Sequence, residues 1–135
     1  MILLIWFSAF LYGPEVQVEF NNLREAKGDL YVAVYDRSET FLSLDRVHAK
    51  KIVPIRQTGT VRVSFGGLSS GKYAISCFHD LNGNGKLDTN LFGIPTEPYG
   101  FSNNVRPKFR APNWMEAAFD LYPSGRDISV RLERW

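Results

Sequence analysis

From Val16 onward the chain runs in short stretches of alternating apolar and polar residues broken by turn residues, the pattern of antiparallel sheets with one wet face. Val16-Gln17-Val18-Glu19-Phe20 alternates cleanly, and Leu30-Tyr31-Val32-Ala33-Val34-Tyr35 has the β-branched and aromatic content of a central strand. Between them, Lys27-Gly28-Asp29 signals a turn. Ser38-Glu39-Thr40-Phe41-Leu42 can cap one short helical turn within a loop. In Lys51-Ile52-Val53-Pro54-Ile55 the proline removes a ladder donor and argues for an edge strand or a bulge. Thr60 to Phe65 alternates strictly, a Gly66-Gly67-Leu68-Ser69-Ser70-Gly71 turn follows, and Lys72 to His79 is the next strand. Ala117 to Leu121 and Ile128 to Leu132 supply two more. About seven strands predict an all-β fold, an antiparallel β-sandwich of immunoglobulin-like type. Residues 80–112, rich in Gly, Asn and Pro, show no strand or helix period; so long an irregular segment is usually functional or held by something.

The strand pattern makes residues 15–135 one sandwich domain. Before it, Met1 to Tyr12 is apolar, with no charge until Glu15. Twelve residues are too few to span a bilayer as a helix, so no stable transmembrane span is expected. They match the apolar region of an export signal that lacks its usual positive start and a clean cleavage site; a first strand or a buried terminal segment is the competing reading. Residues 1–14 are therefore set apart, and a periplasmic or secreted location is the expectation if they are a signal. Sixteen Lys and Arg against 14 Asp and Glu, scattered along the chain, leave no nucleic-acid footprint. Aromatics at 14% with charged residues at 22% disfavour disorder. The single Cys77 cannot form an internal disulfide, which leaves the redox compartment open.

The strongest chemical signal is Asp80-Leu81-Asn82-Gly83-Asn84-Gly85-Lys86-Leu87-Asp88. Calcium takes six to eight oxygens, and Asp80, Asn82 and Asn84 occupy the first, third and fifth positions of a calcium loop, with Gly85 sixth. Lys86 is tolerated at the seventh, where a backbone carbonyl serves, and Asp88 is ninth. The twelfth position is Leu91 in place of a bidentate Glu, and no amphipathic helices flank the loop, so this is not a helix-loop-helix calcium hand. The same chemistry works between strands, with Asn90 or Glu97 as a further ligand. So few carboxylates imply weak calcium affinity, roughly 10⁻⁴ to 10⁻³ M. The competing reading is a metal-free Asn-Gly turn, since both residues accept positive φ.

His79 beside Asp80 suggests a base oriented by a carboxylate, but Ser76 and Ser102 sit in no nucleophile-elbow context. A histidine ending a strand is the simpler reading. Cys77, in step with Ile75, reads as a small buried thiol. Gly93 to Asn104 mixes Pro, Gly and aromatics in a way that suits ligand contact. Tyr73, two residues after Gly71, reads as a corner residue that buries its ring and bonds its hydroxyl to nearby backbone.

From Tyr73-Ala74-Ile75 through Asp80-Leu81-Asn82-Gly83-Asn84-Gly85-Lys86-Leu87-Asp88-Thr89-Asn90 and on from Phe92-Gly93-Ile94-Pro95-Thr96-Glu97-Pro98-Tyr99 to Asn104, the chain resembles a bacterial family known as domain of unknown function 2141. Gly28 to Tyr35 and Phe41 look like that family's opening strand and loop, so the resemblance extends over roughly residues 16 to 133. It implies an exported protein with a transthyretin-like or prealbumin-like sandwich, and assigns no activity. The missing basic start departs from the family's pattern. The first functional expectation is thus an exported, non-catalytic module with a calcium-binding loop, engaging a ligand or protein through residues 80–112. The alternative is a small hydrolase using His79, Asp80 and Glu97. Assembly through edge strands is a third possibility, opposed by Pro54 on the expected edge.

Overall fold

A computed structural model describes residues 13–135 of the chain. The apolar start read as an export signal lies almost wholly within residues 1–12, outside the described residues. Eight strands form two sheets: β1 (Val16–Leu23), β2 (Asp29–Tyr35), β3 (Ala49–Pro54), β4 (Gly59–Phe65), β5 (Gly71–Asp80), β6 (Tyr99–Phe101), β7 (Phe119–Leu121) and β8 (Arg126–Arg131). One sheet has the order β4-β1-β8; the other runs β3-β2-β5-β6, with β7 also on β5. The expected all-β sandwich is what forms.

Alternation on β1 puts Val16, Val18 and Phe20 fully inside. They meet Leu30, Val32 and Val34 of β2, Tyr73, Ile75 and Cys77 of β5, Val63 and Phe65 of β4 and Val130 of β8 in one apolar cluster. Removing this much apolar surface from water is what holds the sheets together. Pro54 does end an edge strand, since among the described residues β3 has a sheet neighbour only in β2. Ser38–Thr40 forms a single 3-10 turn within the segment read as a loop, with no side-chain cap.

Three details differ from the sequence reading. The described residues form eight strands rather than seven, because Tyr99–Phe101 pairs with Ser76–Phe78 inside the segment read as irregular. Three residues centred on glycine are too short to show a period. The sandwich is also not wholly antiparallel: β1 and β8 run parallel, Val16 opposite Arg126 through Asn21 opposite Arg131. Finally, Ala117 closes a one-turn helix, α1 (Trp114–Ala117), instead of opening a strand. Asn113 and Glu116 cap α1 reciprocally, which satisfies two backbone donors and delays β7 to Phe119.

β5 positions the candidate site. It is the longest strand, central in its sheet, and it ends at Asp80. Gly28 is fixed opposite that end with φ 66, where the Cβ of any other residue overlaps the Asp80 carbonyl oxygen. Gly100 lets β6 approach β8, since a Cβ there sits 2.6 Å from the Arg131 carbonyl oxygen.

Candidate functional site

Asp80 is wholly buried. Its Oδ2 accepts the Gly85 N–H at 2.8 Å, which folds the loop back over the strand end. Its Oδ1 has no hydrogen-bond partner. Three buried side-chain atoms among the described residues share that condition, and the other two are the hydroxyls of Tyr35 and Thr40. A buried carboxylate oxygen is the costliest of the three to leave bare, because it carries charge. The ladder adds to the cost: Asp29 of β2 lies directly opposite Asp80 of β5, and like charges so placed destabilise a sheet. Asp29 was not singled out from the sequence. Only the register of two strands far apart in the chain brings it there.

The exposed half of the loop is built from Asx turns. Asn82 Oδ1 accepts from Asn84 N (3.3 Å) and Asn84 Oδ1 from Lys86 N (3.0 Å), the local bonding that suits Asn to turns. Both side-chain amides then donate to Asp88, each at 2.6 Å and each to a different carboxylate oxygen. These amides, Asn84 first and then Asn82, hold the Asp88 carboxyl below the usual carboxylate range. Asn82, Asn84 and Asp88 are thus brought together; Lys86 enters the loop's bonding through its backbone N–H. Among the described residues no three His, Cys, Asp or Glu side chains group to hold a metal. The donor set of this loop depends on asparagine oxygens.

Glu97 and Asn90 turn out to be staples. Buried Glu97 accepts from Leu81 N at 2.7 Å and Asp88 N at 3.1 Å, so it ties both ends of the loop together. Asn90 Oδ1 accepts from Phe92 N and Ile94 N and shapes the following turn. Thr96 N and Oγ1 both donate to the Asp88 carbonyl. The loop is thereby locked to the segment from Thr89 to Glu97.

The hydrolase alternative depends on His79, which is 1% exposed with Nε2 2.7 Å from the Lys27 carbonyl oxygen. That nitrogen must donate, which ties the ring to the turn before Gly28. The cavity beside it is lined by Asn22, Arg24, Glu25, Pro98, Leu132, Glu133 and Arg134, with no hydroxyl or thiol. Ser102 is fully buried, its Oγ accepting from Ile75 N and donating to the Ala117 carbonyl. Cys77 is buried under β6, its Sγ 3.5 Å from the Gly100 carbonyl oxygen, and burial pushes the thiol well above its ordinary pKa. Neither is an activated nucleophile.

A family model described as an uncharacterized protein conserved in bacteria (DUF2141) matches residues 18–129, nearly the whole of both sheets and all of the loop. The chain belongs to the DUF2141 family. No curated protein and no solved structure matches it. Membership accounts for the resemblance seen in residues 73–104 and brings no activity with it. Among the described residues, no helix is long and apolar enough to cross a membrane.

Proposed function

We propose that this DUF2141 protein is an exported, non-catalytic β-sandwich module whose loop from Asp80 to Asp88 binds calcium, with Asp80, Asn82, Asn84, Lys86 through its backbone carbonyl, and Asp88 as ligands. The observation that carries the reading is the partnerless, fully buried Oδ1 of Asp80 at the start of an oxygen-rich loop, because a buried polar atom without a protein partner calls for an ion or a water. Asp29, opposite Asp80 in the ladder, adds negative charge that a cation would offset and water would not. Hard oxygen donors with no sulfur or imidazole among them suit calcium better than transition metals. Binding would turn the Asn82 and Asn84 amides so that oxygen replaces nitrogen inside the loop. The ion's part is structural: it would order the loop that Glu97 and Thr96 tie to the rest of the segment up to Pro112.

Isothermal titration of the purified full chain with calcium, magnesium and zinc tests this. The expected result is one calcium site in the range roughly 10⁻⁴ to 10⁻³ M set by two or three carboxylates, absent in Asp80→Asn, which keeps the Gly85 bond. Absence of calcium binding, or undiminished binding in Asp80→Asn, removes the reading.

A further inference from the structure

The segment after the loop forms a small hairpin whose apex contradicts ordinary turn chemistry. Thr89 bridges Pro95, Asn90 N donates to Ile94 O, and Gly93 N donates to Asn90 O at 3.0 Å. Asn90 and Gly93 supply what the turn needs. The two apex residues are nevertheless Leu91 and Phe92, 102% and 87% exposed, at positions that elsewhere favour Gly, Pro, Asn, Asp or Ser. Beside them is a groove of about 410 Å³ whose wall includes Phe92, Phe109, Trp135, Arg106 and Arg110, and contains no Asp or Glu. Phe109 is 85% exposed although its φ of 63° is costly for a bulky residue; such strain clusters at functional positions. Its ring meets Trp135 edge-on, and the Lys108 ammonium sits 4.6 Å over the Trp135 ring. Lys108 meets no carboxylate among the described residues.

We propose that this face docks onto an anionic lipid surface, with Leu91, Phe92 and Phe109 entering the apolar boundary and Trp135 at the headgroup level. Three observations choose lipid over a folded partner. The apolar side chains project separately instead of forming a flat patch, so they suit a fluid surface that closes around each one. The guanidiniums of Arg106 and Arg110 already donate to the Tyr99 and Glu133 carbonyls and to the Glu116 carboxylate. Arg110 is thereby paired with Glu116, and the Glu133 carboxylate lies 3.7 Å from Arg106, so the cation of this face with no carboxylate partner among the described residues is Lys108, whose flexible ammonium suits a diffuse array of phosphates. Aromatic rings interleaved with cations are the composition of membrane–water interfaces. The proposal stands independently of calcium binding by the neighbouring loop.

Co-sedimentation of the full chain with phosphatidylcholine vesicles, pure or mixed with an equal part of phosphatidylglycerol, tests it. The parent should bind the anionic vesicles at least about tenfold more tightly than the neutral ones. Leu91→Ser/Phe92→Ser and, separately, Lys108→Glu should lose most of that preference without shifting the melting temperature. All three proteins carry the apolar start, so binding through residues 1–12 would be common to them and would not separate them. Equal binding to both vesicles, no binding, or unchanged binding by both variants overturns the proposal. So does a lipid-free self-association, seen by light scattering, that Leu91→Ser/Phe92→Ser dissolves; this face would then be a contact between copies.

Discussion

At the Gly71 end of β5, Tyr73 buries its ring and donates its hydroxyl to the Ser69 carbonyl at 2.7 Å. At the other end, Asp80 is more deeply buried, meets one backbone donor, and leaves an oxygen bare beside a facing aspartate. The same strand thus ends once in a closed arrangement and once in an open one. A polar group that finds its partner within four residues adds rigidity and needs nothing further. A buried charge whose needs exceed what nearby backbone supplies marks a place where something else belongs.

The contrast breaks most severely at Gly28. An alanine there must adopt left-handed φ and displace the backbone of Asp80, and the two costs together predict a loss of about 3 kcal/mol. Chemical denaturation of Gly28→Ala measures it. A loss under about 0.5 kcal/mol, the scale of ordinary surface changes, would mean that the Asp80 end is not clamped. Calcium should sharpen the contrast next. At about a hundredfold its dissociation constant, a ligand specific to the folded state adds roughly 2.7 kcal/mol. Thermal melts should show that increment in the parent and in Tyr73→Phe, and none in Asp80→Asn. A smaller effect belongs to the closed end itself: Tyr73→Phe should cost about 1 kcal/mol, the net worth of one buried hydrogen bond, at any calcium concentration. An unchanged denaturation midpoint would show that the hydroxyl does not brace the corner.

These two ends were unequally legible in the sequence. Tyr73 could be placed because its context is local: a Gly-terminated turn, a strand start and a tyrosine two residues in. The alternation of β1, β2, β4 and β5 was equally plain, since period-two burial is written in adjacent residues. What escaped depends on distant pairing. The parallel partnership of β1 with β8 leaves no mark in either strand, and Tyr99–Phe101 becomes a strand only because β5 offers it an edge. At the site, the offsets from Asp80 to Asp88 were visible, whereas the roles of Glu97 and Asn90 as braces for backbone amides, and the position of Asp29, required the fold. His79 is a third case: its neighbour Asp80 raised the question of chemistry, while its hydrogen-bond partner is the carbonyl of Lys27 across a turn.

The smallest expected effect concerns one proton, and it reads the open end directly. Asp88 accepts from Asn84 and Asn82, and its folded pKa lies below the ordinary 3.8 as a result. A carboxyl whose pKa falls on folding stabilises the protein fully above its unfolded value, and that contribution fades as the pH drops through the folded value. The loop should therefore loosen in acid, below about pH 4, while the Tyr73 hydroxyl, bonded to a backbone carbonyl, keeps its partner. Carbon-detected NMR titration of the Asp88 carboxyl should place its midpoint below that of an unstructured aspartate. Asn84→Ala should raise the midpoint more than Asn82→Ala, following the order of their contributions. Calcium should lower the midpoint further in the parent, because a cation favours the charged form more strongly than an amide does. A midpoint at the ordinary value would show that the Asn82 and Asn84 amides are not turned toward Asp88, and a midpoint indifferent to calcium would show that Asp88 is no part of the cation site.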